Sequence, residues 1–96
     1  MNKLNFLEMQ GLYAVISLAH CCSNPNTKHY DILRKLDNET WTKTGANETY
    51  TKEELTLILP QINKAKNSLK KSGGEDDLVA HEELNKAYKF LKEYLK

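Results

Sequence analysis

Hydrophobic side chains dominate the chain between Leu4 and Cys22, with few polar residues among them. Most of them repeat at helical spacing, but Phe6, Tyr13 and Ile16 fall outside the main stripe. A helix with an apolar surface wider than one face needs more than one neighbour to cover it. The pattern therefore predicts a first helix that is covered on more than one side.

Gly11 lies in the middle of this predicted helix. Glycine inside a helix costs up to about 1 kcal/mol relative to alanine, so its presence needs a structural reason. We expect the backbone of another element to approach the first helix closely at this position.

A turn around Pro25 ends the first helix, because proline disfavours helical geometry at the residue before it. The segment 29–36 carries apolar residues on one face and predicts a short second helix. Asn26 or Thr27 provides its N-cap.

The segment 38–43 recurs at 47–52 with the same order of residue types. If residues 44–47 form a turn, Trp41 faces Tyr50 across two antiparallel strands, and the neighbouring cross-strand pairs are also favourable. The repeat predicts a short β-hairpin at 40–51. An irregular loop is the alternative for this segment.

Two further helices are predicted after this segment. Thr51 and Glu54 form a capping-box sequence that begins a third helix, which extends to about Lys71. Glycines at 73–74 end it, and the acidic residues that follow suit the start of a fourth helix. The expected fold is mainly α: residues 1–96 form one compact four-helix domain with a short β-hairpin inserted between helices 2 and 3.

Charge and cysteine content narrow the possible partners and compartments. The net charge is +1, from 14 basic and 13 acidic residues, so the molecule as a whole does not attract polyanions at long range. Cys21 and Cys22 are adjacent and badly placed to bridge each other. Because reduced thiols fit the cytoplasm and the first apolar segment is too short to span a bilayer, we expect a cytoplasmic protein that does not enter membranes.

One group of side chains has the chemistry of zinc ligands, namely His20, Cys21, Cys22 and His29. Adjacent cysteines point in different directions on a helix, so the group favours a structural role. His81 starts a sequence similar to a zinc-protease motif, but Asn85 occupies the place of the second histidine. We expect no catalytic site, no metal site and no cofactor.

The first functional hypothesis is a small non-enzymatic protein of the phage or mobile-element type that acts by protein–protein interaction, such as an inhibitor or regulator of a host or bacterial protein. Aromatic side chains dominate the energetics of interfaces. The candidate partner-binding residues are the aromatic residues of the predicted hairpin and of the last helix: Trp41, Tyr50, Phe90 and Tyr94.

The second hypothesis is a DNA-binding transcriptional regulator. The segment 29–36 resembles the second helix of winged-helix repressors, and 59–73 resembles a recognition helix that ends at Gly73. The resemblance implies a winged-helix or helix-turn-helix fold in which the major groove is contacted by Gln61, Asn63, Lys64, Asn67 and Lys71. After Gly73 the chain departs from this family, because a further helix replaces the expected strand and wing.

Overall fold

The computed structural model describes residues 3–96 of the chain. It contains four helices, as expected: α1 (Phe6–Cys22), α2 (Lys28–Gly45), α3 (Lys52–Ser72) and α4 (Glu75–Tyr94). The connections between them are short, and α3 is joined to α4 by two glycines. Short connections favour antiparallel packing of consecutive helices.

Side-chain caps define where the first three helices begin. The Asn5 side chain accepts a hydrogen bond from the backbone N–H of Glu8 (2.8 Å), and the Glu8 side chain accepts one from the N–H of Asn5 (2.9 Å). Thr51 and Glu54 form the same reciprocal pair at α3, as the sequence predicts, and α2 is capped by Thr27, one of the two residues that the sequence offered. These contacts satisfy N–H groups that have no partner inside the helices.

Each helix packs against the next along the chain, and α4 also packs against α1, so the helices form a closed ring. The start of α2 lies beside the end of α3, where His29 is hydrogen-bonded to Ser68 (2.9 Å). At the other end of the same pair, Lys43 of α2 lies 2.8 Å from Glu54 of α3. Contacts at both ends show that α2 and α3 run antiparallel, as in an up-down-up-down four-helix bundle.

One hydrophobic core fills the space between the four helices. Two residues outside the helices, Leu4 and Tyr50, belong to it, and the Leu4 N–H donates a hydrogen bond to the Tyr50 carbonyl (2.9 Å). Tyr50 is fully buried, and burial raises the pKa of its phenol above the ordinary range. The Lys43 ammonium lies 5.3 Å from the centre of the Tyr50 ring. Because Lys43 is also hydrogen-bonded to Glu54, its pKa is raised and that of Glu54 is lowered.

The predicted β-hairpin is wrong, because residues 3–96 contain no β-strand and α2 continues to Gly45. Trp41 therefore lies on a helix and does not face Tyr50. The alternative prediction for the segment 40–51 was an irregular loop. In the structure the loop between α2 and α3 is limited to the six residues 46–51. Only an isolated bridge pairs Lys3 with Thr51.

Packing against neighbouring helices explains why this threonine-rich segment is helical. Thr40 is buried on the face of α2 that continues from Leu36, and its hydroxyl donates to the Leu36 carbonyl (2.8 Å). Trp41 packs on Tyr13 of α1, with 5.8 Å between ring centres. The helix propensities of threonine and tryptophan are lower than that of alanine by less than about 0.7 kcal/mol each, so tertiary burial outweighs their preference for strands.

The expected close approach of a backbone to Gly11 is also wrong. A β-carbon built on Gly11 meets no atom within 4 Å outside its own helix. The space beside Gly11 is an open groove between α1 and α4, as described below. The conformational cost of this glycine is therefore not offset by close packing within the chain.

Replacing Gly11 by alanine is expected to stabilise the protein by about 0.5–1 kcal/mol, because the added methyl group meets free space and alanine favours a helix more than glycine does. Urea denaturation of both proteins at a dilute concentration measures the difference. Gly73, which has a φ of 72°, is the control: Gly73→Ala is expected to destabilise the protein. Equal effects at the two positions would contradict the prediction.

Candidate protein-binding surface

The outer side of α1 carries an exposed row of residues without charge. These residues are spaced four, three and four positions apart, and we call them the α1 seam: Leu7, Gly11, Ala14 and Leu18. Leu7 is 78% exposed and Leu18 is 48% exposed. The same spacing places apolar side chains along the contact line of two packed helices. Since the core face of α1 is formed by other residues, the seam is a second apolar face of the same helix.

An apolar groove of about 310 Å³ lies between α1 and α4, next to the seam. It exists because Gly11 has no side chain and Ala87 opposite has a small one. Both helices contribute to its lining, which consists of Glu8, Gly11, Leu12, Val15, Glu83, Lys86, Ala87, Phe90 and Leu91. The groove has room for one large apolar side chain of a partner.

Aromatic and charged side chains border this groove. Phe90 is 45% exposed and stacks on Tyr94, with 6.3 Å between ring centres. Burial of the Tyr94 hydroxyl, together with the nearby Glu8 carboxylate, raises the pKa of Tyr94. The Lys86 ammonium lies 3.2 Å from the Glu83 carboxylate. The exposed ring of Phe90 is therefore the largest apolar group at the border of the groove.

Charges along α4 are separated by sign. The first half contains only acidic charges, which are Glu75, Asp76, Asp77, Glu82 and Glu83. The second half is mainly basic, with Glu93 among the lysines Lys86, Lys89 and Lys92, and Lys96 follows the end of the helix. A helix that packed antiparallel to α4, with acidic residues near its start and basic residues near its end, would meet opposite charges along its length.

The structure separates the four aromatic residues that the sequence suggests for partner binding. Phe90 and Tyr94 lie together beside the groove. Trp41 is 63% exposed but packs on Tyr13, on the side of α1 that faces α2. Tyr50 belongs to the core and cannot reach a partner without unfolding of its loop.

The α1 seam is a feature that sequence reasoning missed. The unusually wide apolar surface of the first helix was the available signal. That signal indicates how much of a helix is apolar, but it does not tell which apolar residues face the core.

The residues proposed for DNA contact lie on α3. Gln61, Lys64, Asn67 and Lys71 are exposed, and Asn63 is partly buried. A helix-turn-helix unit requires two consecutive helices that cross at about 90–120°. In this protein α2 and α3 lie antiparallel over most of their length instead, so the local resemblance is not accompanied by the required packing.

Each histidine contacts at least one other helix. His20 lies 2.7 Å from Asp37, His29 is hydrogen-bonded to Ser68, and His81 is hydrogen-bonded to the Lys66 carbonyl at 3.0 Å. Their contacts are those of structural side chains.

Two further properties bear on the expected chemistry. Cys21 and Cys22 are exposed free thiols, and in residues 3–96 no three histidine, cysteine or acidic side chains cluster in a way that could hold a metal ion. None of the helices in the same range has the length and hydropathy needed to cross a bilayer.

Comparisons with protein-family models, curated proteins and solved structures found no match.

Proposed function

We propose that this chain is a non-enzymatic binding protein that takes one α-helix of a protein partner on the α1 seam and the adjacent groove, and thereby regulates or inhibits that partner. The observation that supports the proposal is an exposed, uncharged, helix-spaced row of residues beside an apolar groove. Helix-in-groove recognition uses this combination of a row of contacts and a pocket for an anchoring side chain.

The chemistry of the partner helix follows from the surface. The seam extends over about 16 Å, which corresponds to three turns of a partner helix with large apolar residues at matching spacing. One of these, leucine or phenylalanine, enters the groove beside Gly11 and Phe90. Acidic residues near the start of the partner helix and basic residues near its end match the charge distribution of α4.

The cytoplasm is the proposed compartment. Both thiols are free and exposed, and an oxidising compartment would favour their conversion to disulfides. A partner from a bacterial host is part of the same proposal, and it depends only on the small size and composition of the chain.

The test uses a synthetic amphipathic helix of about 18 residues, with leucines at the spacing of the seam, glutamates in its first turn and lysines in its last. Fluorescence anisotropy of the labelled peptide measures its binding to the dilute chain. Phe90→Ala removes the aromatic border of the groove, and Leu7→Glu places a charge on the seam. Each variant is expected to weaken binding by about tenfold or more.

Leu57→Glu is the matched control. Leu57 on α3 is 72% exposed, nearly as much as Leu7, but it lies away from the seam. This variant is expected to bind the peptide as the wild type does. Absence of binding by the wild type, or an equal loss in Leu57→Glu, would overturn the proposal. Binding to duplex DNA that weakens steeply with salt would instead favour a nucleic-acid partner.

A further inference from the structure

We propose that the α1 seam also binds the α1 seam of a second copy of this chain, in antiparallel orientation, and that the resulting dimer covers the partner-binding site. The inference extends the proposed function, because it names a regulator of the same surface. A symmetric dimer requires a surface that is complementary to itself. Two properties of the seam and of α4 meet this requirement.

The first property is the order of side-chain sizes along the seam. The two ends carry leucines, Leu7 and Leu18, and the middle carries Gly11 and Ala14. In an antiparallel pair Leu7 lies opposite Leu18 of the second copy, and Gly11 lies opposite its Ala14. The small central residues allow the two backbones to approach closely, while the leucines enclose both ends of the contact.

The second property is the absence of charge on the seam. The segment from Phe6 to Cys22 contains one carboxylate, Glu8, and one histidine, His20, and it contains no lysine or arginine. Glu8 lies on the groove side of α1. The two α1 helices therefore meet without like charges between them. The net charge of +1 also gives little overall repulsion between copies.

The charges of α4 select the antiparallel orientation. The groove shows that α4 around Lys86 lies beside α1 around Leu12, near the middle of the seam. The two-fold axis of an antiparallel pair is perpendicular to the plane of the two α1 helices. When this axis passes through the middle of the seam, both α4 helices lie on the same side of that plane and run in opposite directions. Glu83 of one copy then lies near Lys89 of the other, and the acidic half of each α4 lies along the basic half of its neighbour. The Lys86 side chains of the two copies meet near the axis, where each is paired with Glu83 of its own copy.

Self-association on this surface regulates the proposed function by mass action. A seam that is covered by a second copy cannot take a partner helix, so only the monomer is competent to bind. A partner helix must therefore compete with dimer formation, and the apparent affinity for the partner falls as the concentration of the chain rises.

Sedimentation velocity of the full chain at increasing concentration tests the dimer. The wild type is expected to change from monomer to dimer, and Leu7→Glu is expected to shift the transition to at least about tenfold higher concentration. Leu57→Glu adds the same charge at an equally exposed leucine and is expected to leave the transition unchanged. Circular dichroism of both variants checks that they are folded. A wild type that stays monomeric, or equal shifts in both variants, would overturn the inference.

Disulfide cross-linking tests the orientation. In a background with Cys21→Ser and Cys22→Ser, a mixture of a Leu7→Cys chain and a Leu18→Cys chain is expected to form mixed disulfides faster than either chain alone, because these positions face each other in the antiparallel pair. Faster cross-linking of each chain with itself would show a parallel pair and contradict the inferred orientation.

The two proposals fail in different ways. If the chain is monomeric at all concentrations but binds the synthetic helix, the proposed function stands and its regulation by self-association is overturned. If the chain forms the dimer through Leu7 but does not bind the synthetic helix when dilute, the proposed function is overturned and the inferred self-association stands.

Discussion

Tyr50→Ala is expected to lower the free energy of unfolding by about 3–5 kcal/mol. The Tyr50 ring is fully buried between the loop 46–51 and the helices, and the Leu4 N–H bonds to its carbonyl. Truncation leaves a cavity and removes the ring over which Lys43 lies. Because the free energy of unfolding of a small domain is about 5–15 kcal/mol, this substitution removes a large part of the total stability. Urea denaturation followed by circular dichroism measures the change.

Tyr50→Phe is the matched control for this substitution. The Tyr50 hydroxyl is buried and makes no hydrogen bond of good geometry to any residue in the described range 3–96, although the Glu39 carboxylate lies near enough to help burial raise its pKa. Removing a buried polar group that has no partner is expected to leave the stability unchanged or to raise it slightly. If Tyr50→Phe were destabilised as much as Tyr50→Ala, the hydroxyl rather than the ring would be the important group, and the packing argument would fail.

His29→Ala is expected to lower the free energy of unfolding by about 2–4 kcal/mol. His29 is buried at the start of α2, where one ring nitrogen is hydrogen-bonded to Ser68 of α3. The other ring nitrogen lies 3.8 Å from the carboxylate of Asp77 on α4. One side chain thus joins three helices, and its loss leaves both a cavity and a buried carboxylate with fewer polar neighbours. Thermal unfolding or urea denaturation measures the effect.

His81→Ala provides the comparison for His29. His81 is only partly buried and joins two helices through a single bond to the Lys66 carbonyl. Its replacement is expected to cost about 1 kcal/mol. A loss at His81 equal to that at His29 would contradict the view that burial and the third helix give His29 its larger role.

Gly11 links the stability of the protein to its proposed function. Alanine at this position is expected to favour the helix, but it also narrows the groove and separates the two backbones in the proposed dimer. Binding surfaces often retain residues that are not optimal for stability. A glycine that opens the groove is consistent with this pattern.

The sequence predicted the number of helices, the Thr51–Glu54 capping box and the glycine termination of α3 correctly. Such features depend on residues a few positions apart, whose interactions are available to the chain before it folds. The 40–51 segment was assigned incorrectly for the opposite reason. Its repeat suggested a local cross-strand pairing, whereas contacts with Tyr13 and with the core decide its conformation.

The candidate surface was only partly accessible to sequence reasoning. Phe90 and Tyr94 were proposed as contact residues because aromatic side chains dominate the energetics of interfaces. Leu7 and Leu18 were not recognised as surface residues. The sequence alone does not show which leucines of a strongly apolar helix face the core and which face solvent. Only the positions of α2 and α4 around α1 show which leucines are covered.

The order of residues alone determined the presence of four helices, the capping sequences of α2 and α3, the near-neutral charge and the separation of charge along the last helix. The tertiary structure decided where α2 ends, that Tyr50 is a core residue, and that a groove and an uncharged face remain on α1. The physical reason is that capping and helical periodicity act between near neighbours in the chain. Burial of a particular side chain depends instead on which distant helices pack against it.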